Sequence, residues 1–249
     1  MTNRIPLVAG NWKMNKTPSE AVALIRELLP QVSGVPGVDV VVCPPFVDLA
    51  AVSQELQGSP VALGAQNMHW QASGAYTGEI SAAMLKELCQ YVILGHSQRR
   101  AMFTETDESV NRKVKAALAA GLKPIMCVGE TLEENQAGST AAVVIRMVRE
   151  GLKDLTAEEA RSVTIAYKPV WAIGTGLAAT PEGANAVHKD VIRPVLAEMF
   201  GAEVGEGMRI LYGGSVTDAN AAELFAQSDI DGGLIGGARP KTAPFSTNV

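Results

Sequence analysis

Apolar residues along this chain come in short unbroken runs rather than in strict alternation. The runs are PLVAGN (6–11), VDVVVCPP (38–45), VALGAQN (61–67), YVILGHS (91–97), KPIMCVGE (123–130), VTIAYKP (163–169), MRILYGGS (208–215) and GGLIGG (232–237). Continuous apolar runs of this length predict parallel strands buried on both faces. The stretches between them are amphipathic and carry helix-start chemistry. Thr17-Pro18-Ser19-Glu20 offers a capping box with proline at the first helical position, and Thr156 to Glu159 repeats the box without proline. Thr180-Pro181-Glu182 and Thr217-Asp218 are further N-cap candidates, and Gly121 after VKAALAA is a helix stop. Eight strands alternating with helices, with no break in composition, predict one closed (β/α)8 barrel, a single TIM-barrel domain over residues 1–249. The first strand is followed by AGNWKMN and not by GxGxxG, which counts against a dinucleotide-binding sheet.

Composition narrows the picture. The chain has 249 residues, long enough for two average domains but also the usual length of one α/β barrel. Hydrophobic residues at 47% fill a large core, and a net charge of −5 argues against general nucleic-acid binding, which needs a basic face. Cys43, Cys89 and Cys127 are far apart and contain no CxxC, so they read as buried thiols in a reducing compartment. The N-terminal apolar run is too short for a signal peptide, and no apolar span reaches 18 residues. A soluble cytoplasmic protein without a membrane segment is the expectation. No His/Cys/Asp spacing suggests a metal site.

Polar residues gather at the C-terminal ends of the predicted strands: Asn11 and Lys13 after the first, His96 after the fourth, Glu130 after the fifth, Lys168 after the sixth. In a barrel these positions meet at the face where active sites are built. Gly213-Gly214-Ser215 ends the seventh run and Gly236-Gly237 the eighth. Small residues let backbone N–H groups approach an anion, so two such turns side by side read as a phosphate cradle. Each residue alone has a plainer reading: Lys13 a surface lysine, His96 a satisfied core histidine, either glycine pair an ordinary turn. His69 and His188 stand in no motif and read as structural or surface residues. Cys127, Trp12 and Trp171 read as packing residues.

NWKMN (11–15), AQN…GAYTGE (65–79), GHSQRR (95–100), CVGE (127–130), PVWAIGTG (169–176), YGGSV (212–216) and the glycine pair at 236–237 together resemble the triosephosphate isomerase family, in order and spacing, over essentially the whole chain. The resemblance implies interconversion of dihydroxyacetone phosphate and glyceraldehyde 3-phosphate through an enediolate, a glycolytic and gluconeogenic step that uses no cofactor. It implies that Asn11 and Lys13 bind and polarise the substrate and that His96 is a neutral imidazole donating to the carbonyl oxygen. Residues 169–176 would form a closing lid. Gly174, Ser215, Gly236 and Gly237 would surround the phosphate, and Glu130 would hold Trp171. The loop from Gln66 to Glu79, with Thr77, is similar to an arm that inserts into a second subunit, which implies a homodimer.

The chain departs from that pattern at several positions. Lys168 stands where the family has its base glutamate, Gln98 where it has another glutamate, Thr104 where Phe-Gly-Glu is usual, and Ala238-Arg239-Pro240 replaces an Ala-Ser-Leu-like segment. An ammonium group has no acceptor lone pair and cannot take a proton from carbon. The expectation is therefore an isomerase scaffold that is weak or inactive as written. Two alternatives stand beside it: a phosphate-ligand-binding or scaffold protein without catalysis, and Schiff-base chemistry at Lys168 with a carbonyl substrate.

Overall fold

The computed structural model of the chain describes residues 4–172 and 179–236. Eight parallel strands close into a barrel in sequence order: β1 (Leu7–Asn11), β2 (Asp39–Cys43), β3 (Ala62–Ala65), β4 (Tyr91–Leu94), β5 (Lys123–Val128), β6 (Thr164–Tyr167), β7 (Ile210–Tyr212) and β8 (Gly232–Ile235). β8 pairs back onto β1, Leu7 opposite Gly232 and Gly10 opposite Ile235. The predicted (β/α)8 barrel is the fold. Each strand lies inside its apolar run, and most runs continue past the strand into the loop that follows.

The unbroken apolar runs are explained by two separate cores. One contains only strand residues, among them Ala9, Cys127, Ala166, Leu211 and Leu234, and so fills the inside of the barrel. The other joins strand residues such as Val42, Leu94, Val128 and Tyr167 to helix residues such as Ile25, Leu28 and Val114. Alternate residues of one strand therefore enter different cores, as a period of two requires. Continued past the strand ends, that alternation brings Asn11, Gly129, Lys168, Gly213 and Gly236 to the inner face at the C-terminal mouth. Three of these five are glycines.

Helix starts follow the predicted chemistry in most places. Glu20 accepts from the Thr17 amide at 2.9 Å ahead of helix Pro18–Val32, and Glu159 accepts from the Thr156 amide at 2.8 Å ahead of Ala157–Ala160. Thr180 caps Pro181–Ala186, accepting from the Gly183 amide at 3.1 Å. Gly121 follows the end of helix Asp107–Ala119 with a φ of 75°. Thr217-Asp218 is not an N-cap. The nearest helix begins at Ala221, and the Asn220 side chain accepts from the Thr217 amide at 2.7 Å, which closes a turn one step earlier. All three cysteines are buried and free.

Candidate active site

The first turn is built by Asn11. Its Oδ1 accepts the Lys13 amide at 3.0 Å, and Lys13 adopts a left-handed φ of 56°, a conformation uncommon outside glycine. Gln66 braces the turn from beneath, its Nε2 donating to the carbonyls of Lys13 and Cys43, both at 2.9 Å. The Lys13 stem crosses the end of β8: a Cβ on Gly236 would stand 2.9 Å from Lys13 Cε and 3.5 Å from Nζ. Burial lowers the Lys13 pKa.

His96 sits at the start of helix Ser97–Met102, where its Nδ1 accepts the Gln98 amide at 3.2 Å. A nitrogen that accepts from an N–H carries no proton, so the neutral ring holds its proton on Nε2. Burial pushes the His96 pKa down to about 3, helped by the cations Lys168, Lys13 and Arg99. The ring is therefore neutral at any ordinary pH. Its Nε2 is buried without a partner among the described residues. A donor in that state is poised for an oxygen that arrives with a ligand.

Lys168 is buried, only 4% exposed, and its Nζ donates to the Gly213 carbonyl at 2.5 Å. Gly213 makes this position possible, because a Cβ there would overlap Lys168 Cγ. Burial lowers the Lys168 pKa to about 8, with Lys13 adding to the shift and Cys127 opposing it. In the unfolded chain the same lysine has the ordinary value of 10.5. Between those values the unfolded chain binds more protons, so stability rises with pH across that window, by about 3 kcal/mol in all at about 1.4 kcal/mol per pKa unit. We predict that urea unfolding at pH 7 to 10.5 shows this rise, and that Lys168→Met abolishes it. Parallel pH profiles for the two proteins would contradict the buried ammonium.

Glu130 is fully buried after β5 and serves a different end. Its carboxylate accepts from Trp171 Nε1 at 2.8 Å, Tyr167 Oη at 3.1 Å and Asn135 Nδ2 at 3.2 Å. It anchors the segment Val170–Ala172 that leaves β6. Gly174 and Gly237 lie outside the described residues, as do Arg239 and Pro240. Gly236 ends β8 beside Lys13, and Ser215 follows β7 with its carbonyl accepting from Asn220 at 3.1 Å.

A cavity of about 470 Å³ opens above this face, with Asn11, Lys13, Gln66, His96, Gln98 and Arg99 on its walls and Met14, Phe46, Met102 and Phe103 at its rim. The structure thus brings Asn11, Lys13, His96 and Gln98 together around one space. Lys168 does not line it. It borders instead a hollow of about 10 Å³ with Gly95, Ser97, Arg100, Cys127, Val128 and Gly129. No carboxylate lines either space among the described residues. Sequence reading assigned no role to Arg99, which faces His96, or to Gln66 as a brace. Both lie inside the quoted motifs, but only folding shows what they touch. Among the described residues no group of His, Cys, Asp or Glu could hold a metal ion, and no helix is long and apolar enough to cross a membrane.

A closed parallel barrel with a neutral imidazole donor, a buried lysine and glycine turns at one mouth defines a barrel of the enzyme type, with its site at the C-terminal strand ends. A family model for triosephosphate isomerase matches residues 6–248. The chain is 56% identical over 247 residues to the triosephosphate isomerase of Carboxydothermus hydrogenoformans, covering 99% of this chain and 98% of that one. It is 54% identical to that of Endomicrobium trichonymphae with the same coverage, and 56% identical over 245 residues to that of Chloroherpeton thalassium, covering 97% and 96%. The chain belongs to the triosephosphate isomerase family.

Proposed function

We propose that this family member binds triose phosphates at the C-terminal mouth of the barrel, above β1, β4, β6 and β8, and interconverts dihydroxyacetone phosphate and glyceraldehyde 3-phosphate slowly. The observation that carries the second half is the absence of a carboxylate from the walls of both the cavity and the hollow among the described residues. In this reading the phosphate rests on the glycine turns after β7 and β8, the carbonyl oxygen faces Lys13 and His96, and His96 Nε2–H donates to it as charge develops. Asn11 holds the Lys13 turn in place. Only Lys168 is left near the carbon-bound proton, and it can act only after losing its own. With a pKa of about 8, roughly a tenth of the molecules carry the neutral amine at pH 7.

That sets the test. A coupled assay in both directions, on protein free of host isomerase, should give weak turnover. Its kcat/KM should rise about tenfold per pH unit below pH 8 and level off above it, because the neutral form is the active one. Turnover at efficient-enzyme levels with no pH dependence near 8 would refute the reading. Anion binding does not depend on the missing carboxylate. Calorimetry with a phosphate-bearing enediolate mimic should therefore show binding well below millimolar, and none at millimolar ligand would favour a scaffold role.

The cavity of about 470 Å³ beside that mouth supports a homodimer. Met14 is 96% exposed, Met102 71% and Phe103 63%, around a groove whose other wall is polar. Exposed apolar residues clustered this closely mark an interface. We assign the groove to residues 66–79 of a second copy, an arm whose tip is exposed from Gln71 to Glu79. Sedimentation at micromolar protein should give about twice the chain mass; a clean monomer would contradict the assignment.

A further inference from the structure

Residues 69–80 carry a small core of their own. The backbone leaves the barrel after Met68, which is buried, and the loop closes where the His69 amide donates to the Ile80 carbonyl at 2.8 Å. Between those points Gln71 to Glu79 are exposed, so the barrel core gives this stretch little reason to keep one shape. Three rings supply that reason. The His69 ring lies between the other two, its centroid 4.3 Å from that of Trp70 at an interplanar angle of 23° and 4.3 Å from that of Tyr76 at 32°. Gly74 admits the Tyr76 ring, because a Cβ there would stand 2.8 Å from Tyr76 Cε2. On the barrel side the Arg112 guanidinium carbon lies 5.8 Å from the Trp70 ring centroid. Two hydrogen bonds fix how the rings are spaced. His69 Nδ1 accepts from the Gln71 amide at 3.0 Å, and the Glu79 amide donates to the Tyr76 carbonyl at 3.0 Å. The second bond spans a turn whose third residue, Gly78, has a φ of 91°. Compact surface loops packed by their own side chains are frequently functional.

We infer that the Trp70–His69–Tyr76 stack holds the arm in its docking shape in the free chain, so that a second copy meets a preformed surface rather than a loop still to be ordered. The inference rests on the reading that residues 66–79 enter the groove of a second copy. Ordering a loop at the moment of binding is subtracted from affinity. Where only a fraction of free chains holds the competent shape, the apparent Kd rises by the reciprocal of that fraction. Contacting ring pairs stabilise a fold beyond the area they bury, and His69 belongs to both pairs, so the shape depends on it most. This role accounts for a histidine that stands in no catalytic motif and does not line the cavity. The root of the arm is fixed independently of the stack. Gln66 Nε2 donates to the Lys13 and Cys43 carbonyls, and Asn67 Oδ1 accepts from Lys113 Nζ at 2.8 Å. Loosening the rings therefore frees the tip and leaves the barrel and its mouth in place.

Sedimentation of the full chain and two variants over a dilution series tests this. His69→Asn removes the ring but keeps an acceptor for the Gln71 amide, two residues on; His69→Phe keeps a ring between Trp70 and Tyr76 and loses the acceptor. His69→Asn should raise the dimer dissociation constant on the order of 10- to 100-fold, as the competent fraction of free chains falls to roughly a tenth or a hundredth. His69→Phe should keep the parent's value. Hydrogen exchange in the dilute monomer gives the second readout. The peptide spanning residues 69–80 should exchange faster in His69→Asn than in the parent, while peptides from the barrel strands exchange alike in both. A variant that merely misfolds would speed exchange in the strands as well, and that result would overturn the inference. So would a His69→Phe dimer weakened as much as His69→Asn, which would assign the effect to the imidazole nitrogen and not to the stack. A parent that dimerises with a dissociation constant unchanged in His69→Asn sinks the stack and leaves the homodimer standing; a parent that stays monomeric at micromolar concentration sinks both.

Discussion

Lys168→Glu should raise isomerase activity by about 10²- to 10⁴-fold, the usual worth of a positioned general base. The variant exchanges a donor for an acceptor at one position and leaves Asn11, Lys13 and His96 where they are. Two structural points favour a productive carboxylate. The ammonium is tied to the Gly213 carbonyl at 2.5 Å. A carboxylate cannot make that bond, because both groups are acceptors, so the new side chain is released towards the barrel mouth. His96 also stays neutral. Lys168 is one of several groups lowering its pKa, and burial, the largest, remains after the exchange. Its Nε2–H is thus retained as donor. Gln98→Glu should add a smaller gain, by giving the Lys13 ammonium an opposite charge on the same cavity wall. Steady-state assays of the two single variants and the double variant decide the matter. A Lys168→Glu protein that folds, binds the phosphate mimic and gains no activity would place the fault elsewhere, with Arg239-Pro240 the first position to test.

The class of fold was legible because the apolar runs were unbroken and separated by amphipathic stretches, a pattern that a parallel sheet covered on both faces requires. The strand ends were less legible. YVILGHS reads as one run, yet the strand stops at Leu94, because Gly95 turns with a φ of 69° and His96 caps the next helix. The candidate residues were legible as a set, since polar residues at successive strand ends have few other reasons to be there. Their division was not. Lys13 and His96 stand on the cavity wall, while Lys168, two residues past the inward-facing Ala166, points into the barrel mouth and lies across Gly213. No local pattern encodes that contact, which joins residues 45 positions apart. The thiol of Cys127, set aside as packing, shares the hollow with Lys168 and bears on its charge. Burial of this kind depends on the closed barrel and on which glycines line it.

Gly129→Ala should destabilise the protein by about 3 kcal/mol or more, the largest stability effect expected of a single methyl group at this site. Gly129 follows β5 directly beside the end of β6, where the Lys168 amide donates to the Val128 carbonyl at 2.7 Å. A Cβ at residue 129 would fall inside the Lys168 carbonyl, and its nearest neighbours are backbone atoms. A flexible side chain could swing aside; a backbone carbonyl fixed between two strands cannot, so the overlap can be relieved only by parting β5 from β6. Function should suffer with stability, because the same displacement moves Lys168 and the start of the segment that Glu130 holds through Trp171. Gly34→Ala is the control, since a Cβ there meets nothing within 4 Å and its φ is not positive. Urea unfolding of the two variants against the parent should separate them by several kcal/mol. If Gly129→Ala unfolds within 1 kcal/mol of Gly34→Ala, the two strand ends are not packed as closely as described, and the placement of Lys168 against Gly213 loses its support.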